Sequence, residues 1–226
     1  MRRAAALVRT TVGLKAGMAV SGLILFAFIV GHLAGNLKVF MGPEHFNAYA
    51  EGLRTVGAPF FARGQLLWIA RIILLVSLVV HVGSAIALTR RSLKARPVGY
   101  RNTPHLESTY ASRTMRWGGV IIFLYVIYHL MQFTWGTIHP HFIPGDAYYN
   151  LVVGFQSRPV VGIYLVAMTV LGFHLYHGLW SALQTLGQNN PLYARWRRPV
   201  ALVVAVGLAV GFAIIPLAVQ AGVLHL

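Results

Sequence analysis

Five long apolar runs divide this chain, and the residues that interrupt them are largely arginines, prolines and glycines. A helix needs about 20 apolar residues to cross a hydrocarbon layer, and the runs place spans at about 15–38, 66–90, 116–136, 160–186 and 199–222. The connections are all under 30 residues, too short to hide a soluble domain. The expected fold is all-α: one membrane domain over residues 1–226, an integral bundle of five transmembrane helices. A signal peptide would be shorter than the first run and would end in a small-residue cleavage site. The basic segment Met1–Lys15 is therefore expected to lead straight into the first span.

Composition agrees with that picture, at 57% hydrophobic and only 10% charged residues. The formal net charge of +15 would suggest nucleic acid in a soluble protein. Here the acids are only Glu44, Glu51, Glu107 and Asp146, and the 19 Lys and Arg lie almost all between the runs. Four basic residues precede or begin the first run, seven occupy 90–116 and three occupy 187–198. The 38–65 and 137–159 connections share four, and the C-terminal tail has none. Because positive residues stay on the cytoplasmic side, the N-terminus is expected in the cytoplasm and the C-terminus outside. Trp68, Trp117, Trp135, Trp180 and Trp196 fall mostly near span ends, where indoles anchor at the headgroup level. Cysteine is absent, which excludes disulfides, thiolate metal sites and covalent c-type haem.

Against this apolar background, each of the first four runs holds a deep histidine: His32, His81, His129 and His174, the last followed by His177. An ionisable side chain in a membrane interior is costly and marks a functional candidate whose partner must be named. No acid lies near any of them, so the natural partner is a metal. With a rise of about 1.5 Å per residue, His32 stands roughly 25 Å above Lys15 and His129 about 20 Å above Arg116. On the descending spans, His81 lies about 14 Å and His174 about 18 Å from the cytoplasmic ends. The histidines thus form an outer pair, His32 with His129, and an inner pair, His81 with His174, one from each helix.

Two bis-histidine haems would use all four, and without cysteine they would be b-type. Zinc fits less well, since it gathers three or four ligands in one small cluster. A lone histidine could simply bond a neighbouring helix. Spacing alone leaves His174 and His177 both open as the fourth ligand. Gly31 and Gly35 flank His32, Gly83 and Ser84 follow His81, and Gly178 lies one turn beyond His174; these small residues suit either helix packing or clearance for a flat group.

Taken together, five spans, four deep histidines, the stretch Ser108–Arg116 and the segment Phe173-His174-x-x-x-Gly178-Leu179-Trp180-Ser181 resemble the di-haem cytochrome b membrane-anchor subunit of succinate:quinone oxidoreductases, that is, succinate dehydrogenase and fumarate reductase of respiratory complex II. The resemblance implies haem-iron ligation by His32 and His129 in an outer haem and by His81 and His174 in an inner one. It prefers His174, which precedes Gly-Leu-Trp-Ser by four positions, and leaves His177 as an alternative or a neighbour on the propionate side. It implies a flavoprotein subunit and an iron–sulfur subunit on the cytoplasmic face of a bacterial inner membrane, a membrane quinone (menaquinone) as substrate, and a homo-oligomer of the whole complex. The basic residues of 90–116 with Arg195, Arg197 and Arg198 would line that face. Quinone-site candidates are Glu51, taken first, with His45, His139, His141 and Asp146 at the outer end, and Arg113, Trp117 and Ser84 at the inner. The rivals are a cytochrome b of another quinone-linked enzyme, a haem-free anchor, and a proton-relaying transporter, which would show intramembrane acids or an internal repeat.

Overall fold

The computed structural model describes residues 10–95, 110–187 and 190–226, residues 110–114 by backbone alone. Seven α-helices occupy these segments: α1 (Thr11–Asn36), α2 (Pro43–Thr55), α3 (Gln65–Lys94), α4 (Tyr110–Phe133), α5 (Ala147–Gly154), α6 (Arg158–Thr185) and α7 (Pro191–Gln220). A 3-10 turn, Leu37–Met41, extends α1, and no strand occurs among the described residues. Arg2, Arg3, Arg9, Arg96, Arg101, Glu107 and the Ser108-Thr109 entry to the third run lie outside them.

Four helical stretches are long and apolar enough to cross a membrane: Thr11–Met41, Gln65–Lys94, Arg158–Thr185 and Pro191–Gln220. The remaining long helix, α4, carries Arg116, Tyr125, Tyr128, His129 and Gln132 within its apolar run and falls outside that group. The helices begin where local chemistry supplies a cap. The Thr10 hydroxyl accepts from the Gly13 amide at 3.0 Å and starts α1. The Asn190 side chain accepts from the Leu192 amide at 2.9 Å, and Pro191 occupies the first helical position, where its missing N–H costs nothing. That start lies well before the expected one at Pro199. The helix runs through Pro199 and Pro216, as helices surrounded by lipid and neighbouring helices allow. The two longer connections hold the helices α2 and α5, which an apolar-run reading passes over.

Packing organises around α6, which buries Val161, Tyr164, Ala167, Met168, Leu171 and Leu175 along one stripe at helical spacing. It packs against α7, α4 and α1, while α1 also packs against α3. Leu33, Met168, Leu171, Leu175 and Leu208 fill the middle of the bundle. One end is capped: Val39, Phe46, Tyr148, Val152 and Phe155 of the 3-10 turn, α2 and α5 close over Tyr164 and Ile215. The Asp146 carboxylate caps α5 through the Tyr149 amide at 3.0 Å and accepts from Asn47 Nδ2 of α2 at 2.9 Å, so one side chain ties the two short helices together. The opposite end carries the junctions at Lys94, Tyr110 and Asn190 and is the basic end.

Candidate functional site

The structure brings the four deep histidines together in two pairs. The His32 and His129 rings lie 5.9 Å apart between centroids, nearly perpendicular at 87°, toward the capped end. The His81 and His174 rings lie 6.1 Å apart at 61°. Each pair joins helices that are not packing partners: α1 packs on α3 and α6 but not closely on α4, and α3 packs on α1 but not closely on α6. The imidazoles therefore approach across gaps between backbones.

A metal–imidazole nitrogen bond is about 2 Å. Two imidazoles facing one metal from opposite sides thus have centroids roughly 6 Å apart, the spacing of both pairs. Among the described residues no three His, Cys, Asp or Glu side chains converge. The pairs suit a metal that brings its own equatorial ligands, as haem iron does in its porphyrin.

Two of the rings are oriented from behind. His81 Nδ1 lies 3.0 Å from the Met18 carbonyl of α1. A carbonyl only accepts, so Nδ1 carries the proton and Nε2 keeps its lone pair, the arrangement by which metal-binding histidines are commonly fixed. Gly22 leaves the ring its place: a Cβ there would stand 3.1 Å from His81 Cε1, tighter than ordinary contact, so the ring would have to shift. His129 Nδ1 lies 3.1 Å from the Tyr164 hydroxyl. His32 stacks on Phe28 one turn earlier, at 5.1 Å and 19°, and leans on Phe212 of α7.

His174 and His177 part company in space. His174 faces His81, whereas His177 meets the indole of Trp180 edge-on at 5.1 Å. The Nδ1 atoms of His174 and His177 and Nε1 of Trp180 are buried with no hydrogen-bond partner among the described residues. Buried donors are nearly always satisfied in folded proteins, so these three suit a bound group with acceptor atoms. The Arg198 guanidinium of α7 lies 5.0 Å over the Trp180 ring. Trp180 therefore departs from the anchoring role of Trp68, Trp117, Trp135 and Trp196, which are all well exposed. The glycines also divide. Gly31, Gly83 and Gly178 have open space where a side chain would stand, while Gly35 is filled by the Tyr49 ring and serves packing. Ser84 is buried near Gly17, where α3 meets α1.

The outer-end quinone candidates Glu51, His139 and Asp146 already have local partners. Glu51 sits half-exposed on α2, with Arg54 Nη1 at 2.8 Å and a second ion pair to Arg63. The hydrogen bond from Arg54, and then the charge of Arg63, hold its carboxyl below the usual carboxylate range. Its ionic contribution to folding is therefore full above the ordinary carboxylate pKa and disappears as pH falls through the lowered one. Wild-type and Glu51→Gln chains should differ in thermal midpoint at pH 7 and converge as the pH is lowered; a gap that persists in acid would mean the side chain acts by packing. His139 is buried, its Nε2–H directed to the Asn150 carbonyl at 2.8 Å and its Nδ1 accepting from the His141 amide at 3.1 Å. Both its nitrogens hold the cap shut. His45 and His141 are exposed, Trp117 is exposed at the other end, and the Arg113 side chain lies outside the described atoms.

Tyr164 and Gln132 were not legible as site residues. Gln132 is 2% exposed, and its carbonyl oxygen accepts from the Tyr164 hydroxyl at 3.0 Å. The available signal was a glutamine one turn beyond His129 inside an apolar run; its partner on α6 shows only in three dimensions.

Residues 91–215, more than half of the chain, match the family model described as succinate dehydrogenase/fumarate reductase transmembrane subunit. No curated protein and no solved structure matches the chain.

Proposed function

The chain belongs to the succinate dehydrogenase/fumarate reductase transmembrane-subunit family, and from that premise we propose that it is a five-span, di-haem anchor that passes electrons between an iron–sulfur subunit and membrane menaquinone. The observation that carries this reading is the pair of cross-bundle histidine couples, each spaced near 6 Å between helices that do not pack on one another. A b-type haem held by such a couple would supply a one-electron carrier.

This chain's residues do the rest. His32 and His129 would hold one group near the capped, outer end, and His81 and His174 would hold the other nearer the basic, cytoplasmic end. The Met18 carbonyl keeps the His81 lone pair on Nε2. Leu33, Met168, Leu171 and Leu175 pack into one apolar cluster that keeps water from the bundle interior. His177 and Trp180 offer donors at the inner end, where Arg198 adds positive charge for a carboxylate. Arg195, Arg197 and Arg198, with the basic residues of 90–116, face the flavoprotein and iron–sulfur subunits on the cytoplasmic side of a bacterial inner membrane. α4 completes the five spans, with His129 and Gln132 turned to the bundle interior, where Gln132 is fully enclosed.

A reduced-minus-oxidised spectrum of the purified chain, with a haem assay, tests the reading. The expected result is a sharp reduced α-band and about two haems per chain, neither with an open position. A preparation reconstituted with haem that still shows no α-band would leave a haem-free anchor.

A further inference from the structure

Behind the outer couple runs a buried chain of hydrogen bonds that joins three helices. His129 Nδ1 of α4 lies 3.1 Å from the Tyr164 hydroxyl of α6, and that hydroxyl donates to Gln132 Oε1 of α4 at 3.0 Å. Gln132 Nε2 in turn donates to the Gly154 carbonyl at the end of α5 at 3.4 Å. Tyr164 and Gln132 are 5% and 2% exposed, so neither can exchange these partners for water.

The direction of the chain is fixed from its far end. The Gly154 carbonyl can only accept, which turns the amide nitrogen of Gln132 toward it and leaves the amide oxygen facing Tyr164. The single hydroxyl proton of Tyr164 goes to that oxygen. Tyr164 can then only accept from His129, so the imidazole proton resides on Nδ1 and the Nε2 lone pair is left for a metal. Gly154 is part of the device: a Cβ there would come within 2.9 Å of Phe133 and 3.1 Å of Gln132 Nε2.

We propose that Tyr164, held by Gln132, is a positioning residue that fixes the tautomer of His129 and raises its electron-donating strength toward the outer haem. The inference rests on the di-haem reading and goes beyond it by assigning residues that tune one haem and not the other. An imidazole whose N–H is bound by an acceptor is a stronger base toward its metal, and a stronger donor favours ferric over ferrous iron. The hydroxyl therefore holds the outer potential down. The inner couple has its own fixed acceptor, the Met18 carbonyl, which lies on the backbone and does not change with Tyr164.

The test is a redox titration of the two haems, followed optically, in wild type, Tyr164→Phe and Gln132→Met. Phenylalanine keeps the ring contacts of Tyr164 with Phe155 at 4.8 Å and Tyr125 at 5.1 Å. Tyr164→Phe is expected to retain both haems, raise the outer midpoint potential and leave the inner one in place. Gln132→Met should shift the outer potential in the same direction by less, because Tyr164 still accepts but is no longer polarised. An unchanged outer potential in Tyr164→Phe with both haems present would overturn the proposal. So would loss of the outer haem from both variants, which would make the hydroxyl a structural strut. A wild-type chain that takes up no haem would defeat the di-haem reading itself, and is distinguished by the haem count before any titration.

Discussion

If the two couples hold haem as proposed, replacing His174 with alanine is expected to remove one haem and leave the other, cutting haem content from about two per chain to about one, while His177→Ala keeps both. The two residues lie within one turn of α6, yet among the described residues only His174 has an imidazole opposite it, 6.1 Å away on α3. His177 is turned against Trp180 and meets no histidine among the described residues. With alanine at 174, His81 would lose the imidazole that faces it across the bundle, and α3 and α6 do not pack closely enough to offer another partner. His32→Ala or His129→Ala should remove the other haem, and the double variant His129→Ala, His174→Ala both. Haem assay with optical spectra on detergent-purified chain reads this directly. If His177→Ala lost the inner haem while His174→Ala kept it, the ligand assignment would be wrong.

The second large effect is expected at Gly136, in the turn leaving α4. Its φ is +71°, in the left-handed region, and a Cβ there would run into the ring and Cβ of Phe142. Left-handed backbone costs a branched residue about 1–2 kcal/mol, and overpacking a filled site costs typically about 1–3 kcal/mol more. Gly136→Val should therefore destabilise the fold by about 2–5 kcal/mol. The damage falls on the cap, since Phe142 packs edge-on to His139 at 5.8 Å and His139 holds the 139–150 turn closed. On the di-haem reading, thermal unfolding followed in the haem bands should show the His32–His129 site lost well before the His81–His174 one. Gly145→Val is a useful contrast: its φ is +92° but nothing stands within 4 Å of its Cβ, so only the backbone cost applies.

Much of the architecture was legible because membrane helices announce themselves by length and apolarity, and a fixed rise per residue converts sequence position into depth. Counting residues from Lys15, Arg90 and Arg116 put His32 level with His129 and His81 near His174, and the rings do meet in those couples. What escaped has physical reasons. The short helices α2 and α5 carry too few apolar residues to stand out, and Asp146 and Asn47 matter to them only through contact. α7 begins at Pro191, ahead of the span expected from Pro199, because Asn190 caps it and Pro191 suits the first helical position in a stretch too polar to read as membrane. Gln132, Tyr164 and the Gly22 notch beside His81 act between helices, where one-dimensional periodicity carries no information. Glu51, singled out as a carboxylate at the outer end, proves to be engaged by two arginines, a pairing that depends on how the chain turns back from α2 to Arg63.

The way the couples straddle non-neighbouring helices also bears on how the protein is made. Chain synthesis delivers α1 and α3 first, as a hairpin that presents His32 and His81 with nothing opposite either. The outer couple is complete once α4 enters the membrane, and the inner one only after α6 has followed. On the di-haem reading proposed above, the two seats would thus be completed in chain order, the His32–His129 seat before the His81–His174 one.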